Sequence, residues 1–450
     1  MTATPRPSSG SLPRPLSSRP AGRAAAGTSW LIIGSLVGGV AAYAFQVVGS
    51  RVLGDAAFAP IGVLWTIQYL VVSIVLFSIE TYVTRTAARD RRTGQRRLRG
   101  QLGAIAAWIA GSAVVLGGVT WTLRGPLFGG DGLLAAVVAA IIVAYGAFVV
   151  VRGDLAGHGR YRAYGLATAT ESVVRLGLAV VVLQGAASSG ALAAIMPVGA
   201  ALAALWWPVA RRGRDPEPTR RAAGVEGVSA ARFLVPTTLA NAASQTLLAA
   251  GPLVLVVLNA APGQISVFFV TVTAARVPIM LALGGLLSRL LPPLTAMAEA
   301  DPPRLRRLAL LVGAASALLS GVGAVAGGVL GPALVRLAFG PSFTPSPVFT
   351  AATGAGVLLA SGALVLNQVT IARAEERRLL LPWTIATATA AIAVVIAPGD
   401  PVARVSTAFV AGEIAAVAGL LLVNTRRGRR SHGIKAIKAT NPINPIGPPG

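Results

Sequence analysis

Arg276 stands in Thr273-Ala-Ala-Arg-Val-Pro278, within an apolar stretch over 265–291. A guanidinium is always charged, and its planar fork of donors matches phosphate or carboxylate oxygens. In an apolar helix it is expensive, which makes it a candidate ligand for an anionic substrate. The other reading is a structural partner for a carboxylate such as Glu80 or Glu413. Pro278 adds a point where the helix can loosen and free carbonyls. Glu171 and Arg175 are four apart, so they share one helical face in the favourable order. Their mutual pairing would make an apolar segment insertable; the functional alternative is a gate or a proton-coupled carboxylate. Glu413 is an isolated acid in an apolar run and could carry a coupling proton or be a buried neutral carboxyl. Glu80 and Arg51 fall near the ends of apolar stretches, where they could face a cavity or reach back to water. Gln46, Asn241, Gln245 and the pair Asn367–Gln368 are amides suited to sugar hydroxyls, and equally suited to gluing helices together.

Other chemistry is short of parts. The chain has no cysteine and two histidines, His158 and His432, so thiolate nucleophiles and disulfides are excluded and a histidine-built metal centre nearly so. No Walker A pattern occurs. No catalytic residue, metal or cofactor is expected.

The elements that must position these residues follow from composition. Of 450 residues 54% are hydrophobic and 12% charged, mean hydropathy is +0.71, and the net charge is +24. A soluble or nucleic-acid-binding protein of this size needs far more polar surface. A membrane-crossing helix takes about 20 apolar residues. Twelve stretches qualify: 28–50, 61–84, 102–123, 133–151, 166–184, 190–210, 233–259, 265–291, 308–330, 348–372, 379–397 and 402–424. The boundaries of 190–210 and 379–397 are blurred by Pro197 and Pro382. Nearly all of the 39 Lys/Arg then fall in alternate loops, in runs such as 85–99, 211–221, 304–307 and 426–430. The opposite loops hold Arg51, Arg124, Arg336 and Arg404; Arg175 and Arg276 lie within spans. This alternation predicts an even number of spans with both termini in the cytoplasm. The same basic runs can hold anionic lipids.

Residues 1–27 and 425–450 read as disordered cytoplasmic tails, and 211–231 as a cytoplasmic linker between an N-terminal six-helix bundle (28–210) and a C-terminal one (232–424). A faint internal repeat supports the division: Val52-Leu-Gly-Asp-Ala-Ala-Phe58 against Val257-Leu-Asn-Ala-Ala-Pro262, and Arg124-Gly-Pro-Leu-Phe-Gly129 against Val335-Arg-Leu-Ala-Phe-Gly340. Halves of six spans enter the membrane in the same sense, as in transporters whose substrate path runs between the repeats.

Arg51-Val-Leu-Gly54 with Phe58 ahead of the second span, Arg152-Gly-Asp-Leu-Ala-Gly-His-Gly-Arg160 before the fifth, and Glu171-Ser-Val-Val-Arg175 within it resemble the polysaccharide transporter family. That family includes the Wzx-type flippases, in the multidrug/oligosaccharidyl-lipid/polysaccharide (MOP) superfamily. The resemblance implies an all-α polytopic fold, a V-shaped pair of parallel six-helix bundles. It also implies transfer of a polyprenyl-diphosphate-linked glycan to the outer leaflet. Arg276 is similar in placement to cavity arginines of the related lipid-linked peptidoglycan precursor flippases. Arg276, Arg51, Gln46, Asn241 and Gln245 are therefore the candidate substrate ligands, and Glu171, Arg175, Glu80 and Glu413 the candidates for gating or coupling. Partners expected are the lipid-linked glycan, anionic lipids and glycan polymerase or glycosyltransferase machinery. A drug/cation antiporter of the same superfamily would be expected to carry acids in its cavity. A membrane glycan ligase or polymerase would need acids and bases outside the membrane, where the longest loop, 331–347, offers one arginine and neither acid nor histidine.

Overall fold

The computed structural model describes residues 19–94, 97–211, 230–373 and 375–426. The linker expectation and most of both tail expectations lie outside these residues. Within them the chain is helical, with no β-strand. In order come α1 (Arg19–Val71), a π-helical turn (Val72–Leu76), α2 (Phe77–Thr93), α3 (Arg97–Thr122), the short α4 (Arg124–Phe128), α5 (Gly132–Gly157) and α6 (Tyr161–Gly185). They are followed by α7 (Ser189–Ala203) and, past a 3-10 turn, α8 (Trp207–Arg211). The second half holds α9 (Ala230–Ala249), α10 (Gly251–Val257), α11 (Pro262–Ala300), α12 (Pro302–Phe339), α13 (Pro347–Ala372), α14 (Leu380–Ile396) and α15 (Pro401–Thr425).

Eight helical stretches among the described residues are long and apolar enough to cross a bilayer. The first of these, Ile32–Thr93, is broken at Gly54 (φ 75°, ψ 175°) and makes two rods. With α9–α10, α11 and α14 they occupy the places of the twelve expected spans. The chain is a polytopic all-α membrane protein. α1 begins at Arg19, within the 1–27 segment. Pro20 suits the first helical turn, and Ala21-Gly-Arg-Ala-Ala-Ala26 is mostly alanine, the best helix former. Pro197 lies inside α7 without ending it.

Two apolar cores hold the rods. One gathers α1, α2, α3, α5, α6 and α7, and reaches across to Phe268, Phe269, Phe339, Phe343 and Phe349. The other joins the end of α11 to α12–α15 through Leu294, Leu305, Leu366, Trp383 and Leu420. Within the second half, α12 and α13 approach until a Cβ on Gly354 would lie 2.2 Å from the Gly323 carbonyl oxygen. Only glycine fits there.

The arginine-poor end of the molecule is closed by aromatic rings. Phe58 meets Phe269 at 6.3 Å and Phe343 at 6.4 Å, and Phe339 meets Phe343 at 6.2 Å and Tyr43 at 5.7 Å. Polar contacts fasten the same end. Arg51 Nε donates to the Ala338 carbonyl at 2.7 Å, and its Nη2 donates to that of Leu337. The hydroxyl of Ser266 donates to the Asp55 carbonyl at 2.6 Å. The last carbonyls of a helix have no intrahelical donor, and Arg51 supplies one to the end of α12.

Candidate functional site

Between the two halves lies a cavity of about 480 Å³. Its wall repeats at helical spacing on each contributing rod: Gly39, Ala42, Tyr43 and Gln46, then Trp65, Thr66 and Tyr69, from the two limbs of α1. Phe269, Val272, Thr273 and Arg276 face it from α11; Thr387, Ala390, Ala391 and Val394 from α14; Val405, Ala408 and Phe409 from α15. The break between α9 and α10, around Ala250, completes the wall. Arg276 is the one charged residue in this lining among the described residues.

Its guanidinium lies over the Tyr69 ring, 4.5 Å from the centroid, and Nη1 donates to the Leu248 carbonyl at 3.1 Å. That carbonyl is free for a reason visible in the sequence. Pro252, four residues on, has no N–H to return to it. Pro278, which the sequence suggested as the helix-loosening residue, instead lies within continuous α11. Among the described residues Arg276 forms no ion pair with Glu80 or with Glu413. Glu80 is held by Arg152 at 2.9 Å, with the Tyr164 hydroxyl donating to the same oxygen at 2.9 Å.

The structure separates the other candidates into different settings. Gln46 lines the cavity, 3% exposed, with Oε1 lacking a hydrogen-bond donor. Gln245 accepts from the Tyr69 hydroxyl at 3.0 Å, tying α9 to α1 across the halves. The Asn241 side chain lies outside the described ones, and Asn367 accepts from the Trp383 indole at 3.1 Å. Glu171 and Arg175 pair at 2.7 Å in the buried interior of the first half. The Tyr145 hydroxyl donates to Glu171 and accepts from Arg175, while Ser172 donates to the other carboxylate oxygen at 2.5 Å. Arg175 is stacked on Trp65 at 4.7 Å and on Phe45 at 5.4 Å. Trp65 is the cavity wall, so this pair sits one ring behind the cavity. Arg51 is remote from it, in the closed arginine-poor end. Glu413 is fully buried on α15, and neither carboxyl oxygen has a hydrogen-bond partner among the described residues.

The glycine-rich motif before the fifth span becomes a set of clamps at the arginine-rich end. Arg152 holds Glu80, Arg160 donates to the Val209 carbonyl, and Arg91 Nη1 donates to the His158 carbonyl at 2.9 Å. Asp154 lies 3.2 Å from His158 Nδ1, and this hydrogen bond raises the imidazole above its ordinary pKa. What sequence reasoning missed are the aromatic partners, Tyr69, Tyr145 and Trp65, and the carbonyl freed by Pro252. Only the proline left a legible signal.

No family model matches the chain. An uncharacterized protein of Mycobacterium tuberculosis H37Rv is 26% identical over 377 residues, 77% of this chain and 80% of that protein. Among solved structures, an inward-facing multidrug-resistance MATE-family transporter of the MOP superfamily superposes with TM-score 0.61 at 16% identity. That match covers 92% of this chain and all of the other. The lipid II flippase MurJ, in an inward closed conformation, superposes with TM-score 0.58 at 11% identity, over 88% of this chain and 87% of that one. At such identities the likeness is one of fold.

Proposed function

From a chain carrying the fold of MOP-superfamily transporters, we infer a membrane transporter that moves a lipid-linked anionic substrate through the central cavity by alternating access. The substrate favoured is a polyprenyl-diphosphate-linked glycan, carried from the cytoplasmic to the outer leaflet. The observation that carries this reading is Arg276, the lone charge among the described residues of a cavity walled by both halves. A diphosphate taken bare into hydrocarbon loses its hydration, at far more than the several kcal/mol of a hydroxyl. A guanidinium already held in place by Tyr69 and the Leu248 carbonyl offers it a pre-oriented counter-charge. The aromatic walls and the Gln46 amide suit the sugar faces and hydroxyls. Two bundles, 28–210 and 232–424, would rock about this point, with the arginine-rich end in the cytoplasm by the positive-inside rule.

A cation-coupled drug antiporter is the competing reading, and the fold admits it. A cationic drug would meet Arg276 and no acid among the described residues of the wall. Deleting the gene and identifying what accumulates separates the two. A glycolipid intermediate held on the cytoplasmic face supports the flippase; sensitivity to cationic drugs with no glycolipid supports the antiporter. In complementation, Arg276→Ala should abolish export and Arg276→Lys restore part of it. Full export by the alanine variant removes Arg276 from substrate binding.

A further inference from the structure

Among the described residues of the cavity wall, Gln46 is the one with a buried polar atom that lacks a hydrogen-bond partner. Hydroxyls on the same wall are already engaged. Thr66 donates to the Gly62 carbonyl at 2.8 Å, Tyr69 to Gln245 at 3.0 Å, and Thr387 to the Trp383 carbonyl at 2.9 Å. An amide oxygen buried without a donor is costly, and a bond from whatever fills the cavity removes that cost. The group missing at Gln46 is therefore a donor, whereas Arg276 calls for an anion.

The two groups lie at different depths. Gln46 is eight residues before the Gly54 turn, and Tyr69, which carries Arg276, is fifteen residues after it. At about 1.5 Å of rise per residue, Gln46 stands about 10 Å nearer the closed end than Tyr69 and the guanidinium on it. Tyr43, on the same limb as Gln46, touches the aromatic closure through Phe339 at 5.7 Å. Trp65 lines the wall at a level between the two.

We propose that Gln46 is the specificity-determining residue of this cavity: it accepts a hydrogen bond from a sugar hydroxyl of a substrate whose anion lies on Arg276, holding that substrate sugar foremost toward the closed end. Any anionic lipid satisfies Arg276. Only one whose head group carries a donor well beyond the phosphate also satisfies Gln46, with the sugar ring passing Trp65. Gln46 thereby separates a glycosylated lipid phosphate from the bare anionic lipids of the bilayer. The proposal rests on the cavity being the substrate site, but it is tested without glycan export.

Three singly charged phosphodiester probes are titrated calorimetrically into the full chain in a neutral detergent. They are decyl methyl phosphate, decyl glucosyl phosphate, and the glucosyl probe with every hydroxyl methylated. The wild type should bind the glucosyl probe about tenfold more tightly than its methylated form, the worth of one hydrogen bond. Gln46→Leu should erase that ratio by weakening the glucosyl probe, while decyl methyl phosphate, which has no sugar, still binds. Gln46→Glu keeps an acceptor, so it should retain the ratio while binding all three anions more weakly. Arg276→Gln should weaken all three alike. Equal wild-type binding of the two sugar probes, or a ratio that survives Gln46→Leu, overturns the proposal and leaves the anion site standing. Loss of all three probes in both Gln46 variants overturns it too, because Gln46 would then be structural. A wild type that binds none of the three overturns the cavity reading, and this proposal with it.

Discussion

Arg175 and Arg276 are both arginines in apolar helices, yet their neighbours give them opposite roles. Arg175 has a carboxylate at 2.7 Å, a bridging tyrosine and two aromatic faces. Removing one member of such a buried pair strands the other's charge, at a cost of about 3–5 kcal/mol. Glu171→Gln should therefore lower the thermal unfolding midpoint in detergent sharply, while Arg276→Ala, which breaks no ion pair among the described residues, leaves it nearly unchanged. Equal effects would mean that Arg276 is structural too. The sequence made the Glu171–Arg175 pair legible because i,i+4 spacing fixes a shared face. It could not reveal that Tyr145 bridges the pair or that Trp65 screens it from the cavity. Those facts depend on how α5 and α1 are rotated against α6, and helices this uniformly apolar carry no marked face to signal rotation. Arg276 stood out as costly, but its actual holders, Tyr69 and the Leu248 carbonyl, come from rods distant in sequence.

The rods themselves were readable because a bilayer sets a length that hydropathy reports directly. Their irregularities were less so. The π-helical turn over Val72–Leu76 and the break at Ala250 fall beside the cavity, where the chain departs from regular helix. The Arg51-Val-Leu-Gly54 motif, noticed only as a resemblance, now has a physical account. Gly54 adopts φ 75° and ψ 175°, a region essentially reserved for glycine, and so turns α1 back into the membrane. Gly54→Ala should destabilise the protein by about 1–3 kcal/mol, measured by thermal unfolding in detergent. Three residues earlier, Arg51 fastens that turn to the end of α12. Because the chain has no native cysteine, Phe343→Cys gives a clean reporter of the closed end. Its labelling by a membrane-impermeant maleimide should speed up at least several-fold when Arg51→Ala is added. Unchanged labelling would show that the aromatic rings close this end unaided.

At the scale of the whole molecule, contacts between the halves lie on both sides of the cavity. Aromatic rings and Arg51 close the arginine-poor end. Toward the other end, Tyr69 meets Gln245, and the Thr238 hydroxyl donates to that of Ser78 at 3.2 Å. If the halves must separate there during transport, a covalent tie should stop them. Ser78→Cys with Thr238→Cys should cross-link under mild oxidant, abolish export, and recover on reduction; export by the fully cross-linked protein would refute rocking about this cavity. The Arg51 fastening has one more consequence, for how relatives of this chain can diverge. It bonds to main-chain oxygens of Leu337 and Ala338, so the side chains at those two positions are free to drift. What cannot drift is the length of chain that brings the end of α12 to Arg51. Single-residue insertions or deletions near the end of α12 should be purged from descendants far more strictly than substitutions there, a bias that deep mutational libraries including indels can count.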